Sequence, residues 1–271
     1  MLKKRVITAA VLLPIIFLSL FLETVWLWRL LMSIFIAVAW WEWIRLSKIG
    51  DKIFFVVLST GIMLGLMYMF FSMGYSSAIV FFSIIIWSLA IILCFKSPNG
   101  SNHLMLPQTK LLFGAWVLAF SWWSLIWLRE QDHGSFWVLG FLVIIWLADT
   151  GAYFVGKRFG KTKLAASISP GKTIEGMLGG ALCVALYALI FPAFFIDYSR
   201  VLLAVIAVII AVISVGGDLF ESWLKRQANM KDSSQVLPGH GGVLDRIDSL
   251  IAAMPFILAA YALISSHLLL Q

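Results

Sequence analysis

The chain has 271 residues, of which 62% are hydrophobic and only 12% charged, with 13 Trp and 21 Phe. A water-soluble domain of this size carries roughly twice that share of charge, which excludes a soluble enzyme or binding module. Its 20 Lys and Arg against 13 Asp and Glu give a net charge of +7. Those cations flank apolar runs and no nucleic-acid fold is visible, so a membrane topology signal and anionic phosphate ligands explain them better than nucleic acid.

Apolar runs of about 18 to 22 residues, each long enough to cross a hydrocarbon core of about 30 Å, predict an all-α, polytopic integral membrane protein. An alternating period-2 pattern with short turns, as a membrane β-barrel requires, is absent from the sequence. About nine transmembrane helices are expected, near 6–22, 27–46, 53–74, 77–95, 111–128, 136–156, 174–195, 201–221 and 249–268. The first follows Lys3, Lys4 and Arg5, and because LSLFLETVW after it lacks a small-x-small cleavage site it is read as a retained helix, kinked or shortened by Pro14.

Alternating these spans places 17 of the 20 Lys and Arg on one side, leaving Arg29, Arg129 and Arg200 on the other. Basic residues near span ends favour the cytoplasm, so the N-terminus and the loops 157–173 and 222–248 are expected there, with Gln271 outside. The expected location is the inner (cytoplasmic) membrane. The connector from Lys96 to Lys110 divides four less polar helices (1–110) from five that carry charge (111–271), the latter being the expected catalytic region. Cys94 and Cys183 sit in apolar helices with no CxxC and no His near in sequence, so they are read as small buried hydrophobes rather than a disulfide or zinc site.

Carboxylates inside apolar spans need a reason, since Asp at a helix centre costs on the order of 3 kcal/mol even on permissive scales. Asp149 lies in the sixth span, some seven residues or about 10 Å from its expected end. Asp218, Glu221, Ser222 and Lys225 follow at i, i+3, i+4 and i+7 and so share one helical face. Asp245 and Asp248 share a face at the start of the ninth span, where Asp248 suits a helix cap better than Asp245 does. Five carboxylates at one depth on one side suit Mg²⁺, which takes one or two of them and completes its shell with water and substrate phosphates. Asp149, Asp218, Glu221, Asp245 and Asp248 are therefore the candidate metal ligands.

The 222–248 loop adds Lys225, Arg226, Lys231 and Arg246 for phosphates, and Gly239, Gly241 and Gly242 around His240 for a tight turn that can bring N–H groups to an anion. His240 can donate to phosphate, assist proton transfer, or serve as a structural hydrogen bonder. In the 157–173 loop, GKT lacks the GxxxxGK[ST] spacing and a preceding strand, so a Walker nucleotide site is rejected. Lys172 and Thr173 still open the seventh helix, where point charge and helix N–H groups meet phosphate, and Ser169 beside them joins the substrate-binding candidates. Glu175 is read as a cap of that helix.

Taken together these segments resemble the phosphatidate cytidylyltransferase (CDP-diacylglycerol synthase) family. SxxKR (Ser222, Lys225, Arg226), KD (Lys231, Asp232), PGHGG (238–242) and DRxD (Asp245, Arg246, Asp248) stand in order, preceded by AD-x-GAY at Asp149, SPGKT-x-EG from Ser169 and GD-x-x-ES at Asp218 and Glu221. The resemblance covers about the C-terminal half. It implies that CTP and phosphatidic acid give CDP-diacylglycerol and pyrophosphate with Mg²⁺, that Asp218, Lys225, Arg226, His240 and Asp245 are catalytic, and that Ser222 joins the substrate-binding set. It further implies a homodimer and a second cation such as K⁺. Two rival classes remain. An ion-coupled transporter also buries acids, but near the midplane of repeated halves. A CDP-alcohol phosphotransferase needs a DGxxAR motif that this chain lacks, and a polyprenol kinase is the remaining lipid-linked alternative.

Overall fold

The computed structural model describes residues 2–96, 105–190 and 198–268. In chain order they form α1 (Leu2–Phe21), α2 (Val25–Ser47), α3 (Ile53–Met73), α4 (Ser77–Lys96), α5 (Pro107–Arg129), α6 (Gly134–Phe159), β1 (Lys163–Ala165), β2 (Ser169–Thr173), α7 (Ile174–Ile190), α8 (Arg200–Gln227) and α9 (Leu244–Leu268). The protein is an all-α polytopic membrane protein. Seven of these helices are long and apolar enough to span a bilayer, whereas α7 and the apolar part of α1, Val6–Phe21, are shorter. At 17 residues α7 is about 26 Å long, a little under the usual hydrocarbon thickness. Positions 97–104 of the expected connector and 191–195 of the expected seventh span lie outside the described residues.

Helix α5 is the axis of the bundle and meets α2, α3, α6 and α9. Two indoles fasten α2 to it, Trp28 Nε1 donating to the Leu125 carbonyl at 3.0 Å and Trp43 Nε1 to that of Lys110 at 2.8 Å. Spending the N–H on a backbone oxygen lets each Trp bury its ring without an orphaned donor. Phe70 of α3 then sets its ring edge against Trp116 and Phe120 of α5, with centroids 5.3 and 6.0 Å away.

Two close crossings bring the charged helices together. On α6, Ala148, Ala152 and Gly156 recur every fourth residue and face Gly176 and Gly180 of α7. A side chain at 180 would strike the Ala148 carbonyl oxygen, and small residues at this spacing let backbones touch. On α8, Gly217 lies against Ala252 and the Asp248 carbonyl oxygen of α9. Its neighbour Asp218 is thereby set next to Asp248.

The two ends of the bundle differ in charge. At one end Arg29 pairs with Glu130 at 2.6 Å and Arg129 donates to the carbonyls of Leu20 and Leu22 at 2.5 and 2.9 Å. At the other, Arg45 donates to the Ser233 carbonyl at 3.2 Å, beside the remaining basic loops.

Several boundaries differ from the sequence expectation. Segment 157–173 is not a plain loop but closes into an antiparallel hairpin, Lys163 opposite Thr173 and Ala165 opposite Ser169. Helix α8 continues six residues past 221 and carries Lys225 and Arg226, while α9 starts at Leu244 rather than 249. The irregular segment between them therefore shrinks to 228–243, and Asp245 and Asp248 sit inside α9. Asp248, five residues into that helix, is not its cap.

Candidate active site

Helix periodicity places Glu221 and Lys225 one turn apart, and the bundle then adds α9 beside them. Lys225 Nζ lies between the Glu221 carboxylate and Asp245 Oδ1, 2.6 Å from the latter. The other oxygen of Asp245 accepts from the Ser233 N–H at 3.0 Å, the Ser233 hydroxyl at 3.0 Å and the Gly242 N–H at 2.8 Å. Gly241 has φ of +84°, and a Cβ there would fall 2.7 Å from that same oxygen. Both facts require glycine at the point where the chain folds over Asp245. The turn itself is closed by His240 N–H to Leu237 O at 2.9 Å and Leu237 N–H to Gly241 O at 2.9 Å, and Arg246 Nε donates to the His240 carbonyl at 3.0 Å.

A second group of charges assembles from the hairpin, α6, α8 and α9. Lys172 on β2 reaches Asp218 Oδ2 at 2.7 Å and the Val215 carbonyl at 3.3 Å. Ser222 donates to the other oxygen of Asp218 at 3.3 Å. Asp149 lies within electrostatic reach of Asp218, Lys172 and Arg246, and Asp248 within reach of Asp218, Lys172 and Lys225. Asp248 accepts the Ser249 N–H at 2.7 Å, whereas Asp149 makes no hydrogen bond or ion pair among the described residues.

Asp149, Asp218, Glu221, Asp245 and Asp248 outnumber the cations Lys172, Lys225 and Arg246 in the same region, which suits an added cation. Among the described residues no three acid, His or Cys side chains form a ready cage. The donor chemistry therefore fits Mg²⁺ bound by one or two carboxylates and completed by substrate phosphate oxygens and water. Asp245 and Glu221 share Lys225 and Asp218 pairs with Lys172, leaving Asp149 and Asp248 as the carboxylates of this set with no salt bridge among the described residues.

Other candidates stand further out or carry structural bonds. Lys231 and Asp232 line an open cleft of about 430 Å³ together with Arg45, Met230, Ser234 and Gln235. Arg226 Nε donates to the Ile168 carbonyl at 3.2 Å, tying α8 to the hairpin turn. Thr173 is buried and its hydroxyl accepts the Gly176 N–H at 3.1 Å, so it caps α7. The Glu175 carboxylate bonds its own amide in the first turn of α7 and also accepts the N–H groups of Lys161 and Thr162 at 3.1 and 3.0 Å, closing the hairpin's entry.

The buried acid beside the site that the sequence reading missed is Glu42. It is fully buried on α2 and bonds to Ser233, Ser234, Val243 and Leu244, thereby capping α9 from a distant helix. The rule applied to Asp149, that an acid inside an apolar run needs a reason, flags Glu42 in WWEW equally well.

Comparison with known proteins gives the family. A family profile described as "Cytidylyltransferase family" matches residues 3–264. The chain is 36% identical over 257 residues to a phosphatidate cytidylyltransferase of Pseudomonas aeruginosa, covering 94% of this chain and 95% of that protein. It is 35% identical to one of Haemophilus influenzae, covering 94% and 97%. A Bacillus subtilis protein of the same name is 44% identical over 140 residues, about half of each chain.

Proposed function

The chain belongs to the cytidylyltransferase family and is a nucleotidyltransferase, and from that premise we propose that it transfers a cytidylyl group from CTP to phosphatidic acid, releasing pyrophosphate. The observation that carries this reading is the Lys172–Asp218 pair, with Asp149 and Asp248 of two further helices within electrostatic reach of it, at the bundle end that bears the basic loops. A lipid phosphate is reached at the headgroup plane, and a nucleotide arrives from water at the same level. The basic end is thus the cytoplasmic face of the inner membrane, with the N-terminus on that side.

In the reaction a phosphatidate oxygen forms a bond to the α-phosphorus of CTP while the bond from that phosphorus to the bridging oxygen breaks. Pyrophosphate takes the electron pair. A phosphate monoester is already largely ionised at neutral pH, so the protein need not supply a strong base, and positioning and charge neutralisation do most of the work. Lys172, held by Asp218, presents its ammonium where the hairpin meets α7. Arg246 and Lys231 add charge from the 228–243 side, and Lys225 keeps Asp245 fixed under the glycine turn. Asp218 with either Asp149 or Asp248 would hold Mg²⁺, which would supply neutralisation of the triphosphate when bound. A homodimer and a second, monovalent cation belong to the same proposal.

Purified protein incubated with phosphatidate, Mg²⁺ and CTP labelled at the α-phosphorus should move label into the lipid phase, while label at the γ-phosphorus appears as pyrophosphate. Lipid labelled from the γ position, or no pyrophosphate at all, rejects the proposal. Lys172→Ala should raise the KM for a phosphate-bearing substrate by about 10- to 100-fold, the scale of one charge-assisted contact of about 1.5 to 3 kcal/mol. Unchanged kinetics for both substrates would remove Lys172 from the site.

A further inference from the structure

Glu42 lies in the N-terminal half of the chain, outside every motif of the catalytic region. Its Oε1 accepts from the Ser234 hydroxyl at 2.5 Å and the Val243 N–H at 3.0 Å. Its Oε2 accepts from the Leu244 N–H at 2.6 Å and the Ser233 hydroxyl at 3.1 Å. None of these donors is a cation, so a fully buried carboxylate is compensated by hydroxyls, loop amides and the positive end of the α9 dipole. All four donors belong to 233–244, the segment that folds over Asp245.

The Ser233 hydroxyl is the informative atom, because it also lies 3.0 Å from Asp245 Oδ2. One hydroxyl has one proton, so Glu42 and Asp245 compete for the same donor and the position of each depends on the other. Gly242 belongs to the same contact. Its N–H donates to Asp245, and a side chain there would collide with both Ser233 Oγ and Glu42 Oε1. One helical turn beyond Glu42, Arg45 holds the Ser233 carbonyl at 3.2 Å.

We infer that Glu42 is a positioning residue for nucleotidyl transfer: acting through Ser233, it fixes the 233–244 segment and with it Asp245 and Arg246. This inference rests on the cytidylyl-transfer reading above. Glu42 does not touch substrate, and its effect belongs in turnover rather than in lipid affinity.

The test uses the full chain in lipid nanodiscs. Glu42→Gln keeps the shape but turns an NH₂ toward two donors whichever way the amide lies, releasing one arm of the segment. The expected result is a kcat lower by about 10- to 100-fold, the range for a residue that orients another, with the phosphatidate KM unchanged within about twofold. Added to Ser233→Ala, the same change should cost less than it does alone, because one of the four contacts of Glu42 is already gone. Hydrogen exchange at 233–244 should accelerate while amides of α5 keep their protection. Glu130→Gln, which breaks an ion pair at the opposite end, should alter neither readout.

A lowered melting temperature with wild-type kcat would mean a merely structural role and overturn the inference. So would full additivity with Ser233→Ala, or an equal loss in Glu130→Gln. If the wild-type chain releases no pyrophosphate, the functional reading fails by itself, and exchange at 233–244 still decides whether Glu42 anchors that segment. Unchanged exchange there overturns the anchoring.

Discussion

Asp218→Asn is expected to lower pyrophosphate release from CTP and phosphatidate by about a thousandfold, the scale at which loss of one preorganised charge-stabilising group is felt. Asp218 is the residue on which the second charge group converges. It binds Lys172 at 2.7 Å, accepts from Ser222 at 3.3 Å, and is the common electrostatic neighbour of Asp149 and Asp248. Asparagine matches its shape and keeps one acceptor for Lys172 or Ser222, so the packing of Gly217 on α9 is preserved. What disappears is the negative charge. Thermal unfolding in detergent should therefore be close to wild type while steady-state turnover collapses. Activity within about threefold of wild type would remove Asp218 from the site.

Lys225→Met should have the largest effect on stability. Lys225 separates Glu221, which is 2% exposed, from Asp245, and it is the one cation paired with either among the described residues. Removing it leaves two carboxylates facing each other in a buried place. Breaking a buried pair in this way costs about 3 to 5 kcal/mol. The unfolding midpoint should fall by several degrees and turnover should be lost with it. Glu221→Gln in the same background removes one of the stranded charges and should recover part of the lost stability. An unchanged midpoint in Lys225→Met would mean that the three side chains are solvated rather than packed as a unit.

The candidate carboxylates were readable because intramembrane charge is expensive. Asp149, Asp218 and Asp248 stood out as acids that a lipid-facing helix would not carry, and the helical spacing of Asp218, Ser222 and Lys225 placed them on one face. The packing of α6 on α7 and of α8 on α9 joins them, and the small residues that permit it, Gly180 and Gly217, look unremarkable in sequence. Boundaries read from hydropathy were less accurate. Polar Lys225 and Arg226 hid the continuation of α8, and the five residues before 249 looked like loop although Glu42 caps α9 at Val243 and Leu244. That cap joins positions about 200 residues apart, so no local pattern reveals it. The hairpin was missed for a similar reason, since strands of three and five residues carry almost no periodicity.

We propose that Asp218, with Asp149 or Asp248, holds a divalent cation that neutralises the triphosphate. Mn²⁺ binding to the purified, nucleotide-free protein, read from the loss of the free ion's electron paramagnetic resonance signal, tests it most directly, because no triphosphate is there to hold the ion. A bound ion is expected in the wild type and at least about tenfold weaker binding in Asp218→Asn. Equal Mn²⁺ affinity in both proteins would contradict it.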